Sequence, residues 1–288
     1  MKKILFTGGT GFLGRNLVPL LQKKYDVYAP TRQELNLKDD EQLVAYIKEH
    51  KFDVIIHAAI PNIAFNESDR AESLLENSLH TFAIFEKMQP YYGKMVYFGS
   101  GAEFDKNRPI SMVTEENFGM SIPKNEYGLA KYMMNLIAEK SEKIYNFRIF
   151  GCYGPTDASF KFMTSVIRDC IENKTIRLRQ DCYFDFMYVT DIYNVLEWFV
   201  ENQPKYHSYN ICTGVSLKLS EICKLIQEQM GTNLDVIFEA EGLNNEYSAD
   251  NRRILAEMTG YCFTSIYEGI KKQIKYEKEC VSNEKKSC

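Results

Sequence analysis

The feature that most constrains this chain is a glycine-rich turn close to its start. Thr7-Gly8-Gly9-Thr10-Gly11-Phe12-Leu13-Gly14 comes directly after Lys3 to Thr7, which has the pattern of a buried strand, and leads into Phe12 to Leu21, which has the pattern of a helix. Gly8, Gly11 and Gly14 are spaced GxxGxxG. The first permits a tight turn, the second lets backbone approach a pyrophosphate, and the third lets the helix pack on the strand. Free N–H groups and the helix dipole then favour an anion at the helix N-terminus. Gly8, Thr10, Gly11, Phe12, Leu13 and Gly14 are therefore candidate dinucleotide-binding residues.

Strands and helices continue to alternate beyond this turn. Asp26 to Ala29, Val54 to His57, Met95 to Phe98 and Ile144 to Phe150 read as strands, separated by helical patterns that include Glu41 to Glu49 and Lys124 to Lys140. Strictly alternating strands and helices, with strands apolar throughout, predict a parallel sheet covered on both faces. The expected fold is α/β, a Rossmann-like doubly wound sheet with a small interwoven C-terminal substrate lobe. Residues 1–155 form the dinucleotide-binding domain, part of 184–212 returns to it, and 156–183 with 213–288 form the lobe. From about Leu217 the elements are expected to be short and less regular, and the Lys-rich stretch Lys271 to Lys286 to be a solvated face.

At the end of the second strand an acid would bond a ribose 2′-hydroxyl, whereas a cation accommodates a 2′-phosphate. This strand ends Ala29-Pro30-Thr31-Arg32. Arg32 therefore favours NADP, with NAD possible. A net charge of −4 gives no electrostatic footprint for nucleic acid or an acidic membrane. No apolar run reaches the ~18 residues of a membrane span, and the N-terminal apolar run is too short for a signal peptide, so the expected location is cytoplasmic. The eight cysteines form no CxxC pair and no cluster with the four histidines. They read as free thiols, and no metal site is expected.

Eight segments, in order, resemble the extended short-chain dehydrogenases that modify nucleotide sugars. They are residues 7–14, His57-Ala58-Ala59, Asn77 with Thr81, Phe98-Gly99-Ser100, Tyr127 to Lys131, Tyr153-Gly154-Pro155, Phe184 to Asp191, and Tyr209-Asn210-Ile211. The resemblance spans nearly the whole chain. It implies that Ala58, Ala59 and Asn77 contact the cofactor and that Asn36 and Leu37 contact its adenine. It also implies that Tyr127, Lys131 and Ser100 are catalytic. The spacing suits that chemistry, because Tyr127 and Lys131 stand i and i+4 on one helical face. A phenol with a pKa near ~10 needs a neighbouring positive charge to ionise near neutrality. Lys131 would tune Tyr127 and hold the nicotinamide ribose, and Ser100 would bond the reacting sugar oxygen.

Absences narrow the reaction. Dehydratases of the family carry an Asp-Glu pair after the serine position, where this chain has Gly101 and Ala102. Related decarboxylases and fucose synthases place a Glu or a Cys at the position of Ala102. Hydride transfer alone remains: reduction of a keto group at C4 of a nucleotide-activated deoxysugar, or 4-epimerisation. A reading of another class is a non-catalytic NADP-binding sensor. Many relatives place an Arg where Phe184 stands and an Asn where Gly151 stands. Lys161, Arg177, Arg179 or the pair Arg252-Arg253 could supply the missing charge for a substrate diphosphate, with Gly101 beside the sugar. The resemblance also implies a homodimer formed through Lys124 to Lys140 and Ala71 to Met88, which carry additional apolar positions such as Met133, Met134 and Ile137.

Overall fold

The computed structural model describes residues 1–60 and 74–287. The start of the helix expected over Ala71 to Met88 and Cys288 lie outside the described residues. In chain order the first elements are β1 (Lys3–Thr7), α1 (Phe12–Leu21), β2 (Asp26–Tyr28), α2 (Asp40–His50), β3 (Val54–His57), α3 (Leu74–Lys87), β4 (Lys94–Ser100) and β5 (Ile110–Val113). Then come α4 (Glu126–Ala138), β6 (Ile144–Ile149), β7 (Gly151–Tyr153), α5 (Phe162–Ile171), β8 (Ile176–Leu178), β9 (Tyr183–Phe184), β10 (Phe186–Tyr188) and α6 (Thr190–Glu201). The last are β11 (Ser208–Ile211), β12 (Leu217–Lys218), α7 (Leu219–Met230), β13 (Val236–Phe238), β14 (Tyr247–Ala249), α8 (Arg252–Glu257) and α9 (Ile266–Ser287).

Six strands pair in the order β2-β1-β3-β4-β6-β11, and every pairing is parallel. This is the doubly wound α/β sheet that the alternation predicts. Side chains alternate between its faces with period two. Ile4 and Phe6 of β1, Val54 and Ile56 of β3, and Val96 and Phe98 of β4 face one core with Leu17 and Leu21 of α1 and Val195 and Phe199 of α6. Leu5, Ile55, Met95 and Tyr97 face the other, with Leu43 of α2, Phe82 and Phe85 of α3, and Met134 of α4. Each of these fully buried apolar side chains contributes about 1.5–3 kcal/mol relative to exposure.

The chain leaves β1 to one side to reach β2, and α2 carries it back to β3 on the other side. The connections that follow the paired carboxyl ends of β1 and β3 therefore run to opposite sides, and such a switch in strand order is where open α/β sheets bind ligands. A separate core holds Met163, Val166 and Ile167 of α5, Ile222 and Ile226 of α7, and Ile270 and Ile274 of α9. Ile254 of α8 and Met258 pack on the first sheet core instead, so the chain comes back to the sheet beyond that lobe.

The expected irregularity after Leu217 is corrected by α7 and by α9, a helix of 22 residues. Nor is Lys271 to Lys286 solvated all round. Ile270, Gln273, Ile274, Glu277 and Val281 are buried, and Glu277 accepts from Arg168 Nε of α5 at 2.7 Å. The lysines between these positions hid a buried stripe at helical spacing.

Candidate active site

The nucleotide end of the site is built from the first turn. Gly8 has φ +80°, and a Cβ there would lie 2.7 Å from the backbone nitrogen of Ala59. Only glycine lets the turn close against the end of β3. A Cβ on Gly14 would lie 2.4 Å from the carbonyl of Gly9, so helix and turn also meet backbone to backbone. Gly11 caps α1 with no side chain over the helix end, and the first turn carries no acid. The N–H groups of Phe12, Leu13 and Gly14 are thus left for an anion, and a pyrophosphate fits this cradle. Arg15 Nε donates to the carbonyl of Thr10 at 2.8 Å and pins the loop.

Ala58 N and Ala59 N bond the carbonyl and hydroxyl of Thr7, at 3.1 and 3.4 Å. The same hydroxyl lies 2.7 Å from Nδ1 of buried His57. Burial, with help from the charge on Lys131, pushes the His57 pKa down to about 3, so its ring is neutral. Asn36 is held by Gln42, which accepts from its backbone N–H at 2.6 Å. The Leu37 carbonyl accepts from Thr81 of α3 at 3.3 Å, and Asn77 lies one turn before Thr81. Arg32 is exposed beyond β2. Glu34, two residues further, turns back and accepts from both N and Oγ1 of Thr31, at 2.7 and 2.9 Å. A carboxylate is therefore present at this strand end, although neither Thr31 nor Arg32 supplies it.

The chemical end lies where β4, α4 and β6 converge. Asn125 caps α4, its Oδ1 accepting from Gly128 N at 2.7 Å, so the helix starts immediately before Tyr127. Tyr127, Lys131 and Asn135 then fall on one face at successive i, i+4 positions. Tyr127 is half-buried, and burial pushes its pKa up; a hydrogen bond with Ser100 pulls it down and the charge of Glu103 adds to the rise. Lys131 is 5% exposed, its Nζ 5.8 Å from the ring centroid of Tyr97. Burial pushes its pKa down to about 8, against the opposing pull of Glu103. Ser100 ends β4 and is itself buried.

Two neighbours of Ser100 carry no assignment from the sequence. Glu103, one position beyond Ala102, accepts from Ser100 N at 3.0 Å and from Arg148 Nε at 2.6 Å, with both side chains fully buried. Asn146 Nδ2 bonds Glu103 and also reaches Oδ1 of Asn135 at 2.8 Å, tying β6 to α4. The Arg148 guanidinium carbon lies 5.3 and 5.0 Å from the ring centroids of Phe104 and Phe118. Tyr247, from β14, brings its Oη to 3.4 Å from Ser100 Oγ. A tyrosine 147 positions from its partner leaves no local signal.

The candidate diphosphate cations divide. Lys161 stands at the start of α5, close enough to Lys106 to help burial lower the Lys106 pKa. Lys106 Nζ in turn lies 4.6 Å from the ring centroid of Tyr247. Arg177 and Arg179 are exposed, in and just beyond β8. Arg252, its side chain 82% exposed, pairs with Asp250 at 2.6 Å, and Arg253 pairs with Glu115 and Glu116. Gly101 is buried beside Ser100 and Tyr247. A cavity of about 400 Å³ lined by Phe184, Phe186, Val215, Leu217 and Phe263 lies next to this region, since the Phe184 ring also packs on Tyr247, centroids 4.9 Å apart. Among the described residues no group of three or more His, Cys, Asp or Glu side chains could hold a metal, and no helix is long and apolar enough to cross a membrane.

Comparison with known proteins gives the same frame. The model of the NAD dependent epimerase/dehydratase family matches residues 4–212. The chain is 25% identical over 256 residues to CDP-abequose synthase of Yersinia pseudotuberculosis, covering 81% of this chain and 87% of that one. It is 26% identical over 287 residues to GDP-6-deoxy-D-talose 4-dehydrogenase of Aggregatibacter actinomycetemcomitans, covering 92% and 94%. Among solved structures, the GDP-mannoheptose C4 reductase of Campylobacter jejuni with NADP bound superposes with a TM-score of 0.80 at 19% identity, over 96% of this chain and 98% of that one.

Proposed function

The chain belongs to the NAD dependent epimerase/dehydratase family, a nucleotide-sugar-modifying enzyme that uses a nicotinamide cofactor, and from that premise we propose that it reduces a keto group at C4 of a nucleotide-activated deoxysugar, with NADPH as the preferred donor. The observation that carries this reading is the hydrogen bond between Tyr127 and Ser100, with Lys131 one turn further along α4 and, among the described residues, no uncommitted carboxylate at the serine to act as a second acid or base. Gly101 and Ala102 have no titratable group. Glu103 is engaged by Ser100 N, Asn146 and Arg148, so its carboxylate is spent inside the fold. Removal of water or epimerisation beside a carbonyl would need such a group; carbonyl reduction does not.

A bound reduced nicotinamide supplies the hydride. The protein's part is proton and charge management at the sugar oxygen. As that oxygen gains negative charge, Tyr127 donates a proton to it and Ser100 holds it by a hydrogen bond. Burial raises the Tyr127 pKa, which favours the protonated phenol and suits a donor. Lys131, buried and cationic below about pH 8, would hold the nicotinamide ribose and offset the charge left on Tyr127. A C4 assignment draws on the names of two similar proteins, a 4-dehydrogenase and a C4 reductase. The preference for NADP draws on Arg32.

The test is turnover with a small panel: CDP-abequose, GDP-L-colitose and GDP-6-deoxy-D-talose, each with NADP⁺ or NAD⁺, monitored by nicotinamide absorbance. Net formation of reduced cofactor supports a reductase read in reverse. Interconversion of C4 epimers with no net change in cofactor would assign a 4-epimerase instead. Cofactor binding with no turnover on this panel or on 4-keto nucleotide sugars would assign a binding protein.

A further inference from the structure

Tyr247 stands out as a buried hydroxyl that the proposed proton transfer does not use. It reaches Ser100 from the far end of the chain. β14 pairs in parallel with β5 and β9, and the register sets Tyr247 opposite Ile110 and Phe184. Its ring is enclosed by Phe150 and Phe184, with centroids 5.2 and 4.9 Å away. The residue is 7% exposed.

The backbone at Gly101 is shaped around it. A Cβ on Gly101 would lie 2.6 Å from Tyr247 Oη and 2.6 Å from Phe150 Cε1. Any other residue here would push the phenol away from Ser100. The absence of a side chain at position 101, which at first sight only removes a catalytic acid, thus admits a hydroxyl from β14.

We propose that Tyr247 is a positioning residue that donates its proton to Ser100 Oγ and so turns the serine proton toward the reacting oxygen. A serine hydroxyl has one proton and two lone pairs. Ala102 N donates to Ser100 Oγ at 3.2 Å, and Tyr247 Oη stands 3.4 Å away. Either hydroxyl could donate in this pair, and we assign the shared proton to Tyr247. With both lone pairs of Ser100 taken, its own proton can only point outward, to Tyr127 in the free enzyme and to the sugar oxygen in the complex. Burial drives the Tyr247 pKa up, so the phenol stays protonated across the working range. Tyr247 therefore gives up no proton; it fixes a rotor before the substrate arrives.

This inference rests on the roles proposed for Ser100 and Tyr127, and the experiment separates the two. The parent protein, Tyr127→Phe, Tyr247→Phe, Ser100→Ala and the Ser100→Ala/Tyr247→Phe double variant are assayed with NADP⁺ on the same three nucleotide sugars, with NADPH affinity measured for each. Tyr247→Phe keeps the ring and its packing, and should lower kcat by about three- to tenfold, the scale of one neutral hydrogen bond, with substrate KM and NADPH affinity within about twofold of the parent. In the Ser100→Ala background the same change should have no effect on kcat, since Tyr247 acts through the serine. An equal loss in both backgrounds, an unaltered kcat in Tyr247→Phe, or loss of NADPH binding in that variant would each overturn the assignment. If Tyr127→Phe is inactive while Tyr247→Phe is normal, this inference alone falls. If Tyr127→Phe keeps normal turnover, or the parent is inert on the whole panel, the catalytic reading falls and the role of Tyr247 falls with it.

Discussion

Glu103 and Arg148 form an ion pair of 2.6 Å with both side chains wholly out of water, immediately behind the serine that ends β4. Desolvating two charges is expensive; Asn146 and Ser100 N add hydrogen bonds to the carboxylate, whereas among the described residues only Nε of the guanidinium is bonded, the group lying near Phe104 and Phe118. Glu103→Gln leaves the arginine charge buried without its counterion. We expect it to destabilise the protein by about 3–5 kcal/mol, and Glu103→Gln/Arg148→Met to recover most of that loss. Urea unfolding of the three proteins checks this; equal stability of parent and Glu103→Gln would contradict it.

Tyr127→Phe removes the proton donor and keeps the ring. Cofactor affinity should be unchanged while turnover falls by roughly 10²–10⁴-fold. Ser100→Ala should cost no more than that, and Lys131→Met should harm both cofactor binding and rate. Steady-state kinetics together with NADPH titration separates these three patterns.

The Lys131 pKa of about 8 sets a pH window. Below it the ammonium is present to meet the ribose; as pH rises through it the charge is lost. NADPH affinity should therefore weaken from about pH 8 upward in the parent, and Lys131→Met should bind weakly at every pH with no such inflection. Calorimetric titrations across that range would show the difference, and a flat profile in the parent would exclude Lys131 as the titrating contact.

Cofactor choice tests the end of β2. Arg32→Asp should weaken NADPH and improve NADH, because the carboxylate repels a 2′-phosphate and accepts from a 2′-hydroxyl. Glu34, now folded onto Thr31, gives a second variant: Glu34→Gln should leave NADPH binding intact or better. Undiminished NADPH affinity in Arg32→Asp would remove Arg32 from the site.

On α4, Met134 is buried and Ile137 packs on the same sheet core, whereas Met133 and Leu136 are 37% and 42% exposed. A homodimer formed through this helix would cover them. Light scattering at micromolar concentration should give a dimer for the parent and a monomer for Met133→Glu/Leu136→Glu. A monomeric parent would leave that face without the proposed partner.

The sequence by itself determined whatever depends on neighbours along the chain. The glycine spacing at Gly8, Gly11 and Gly14, the apolar strand runs and the i, i+4 pair of Tyr127 and Lys131 are local patterns, because turn sterics and helical pitch act over a few residues. The same reasoning misled at α9, where lysines interrupted the stripe of Ile270, Ile274 and Val281. Only the tertiary structure decided that Glu103 closes on Arg148, that Arg253 is bound to Glu116, and that Tyr247 reaches Ser100 from 147 positions away. Those outcomes depend on which strands lie side by side and on how much water is excluded between them. Sheet order and desolvation belong to the packed chain as a whole, and no short stretch of sequence contains them.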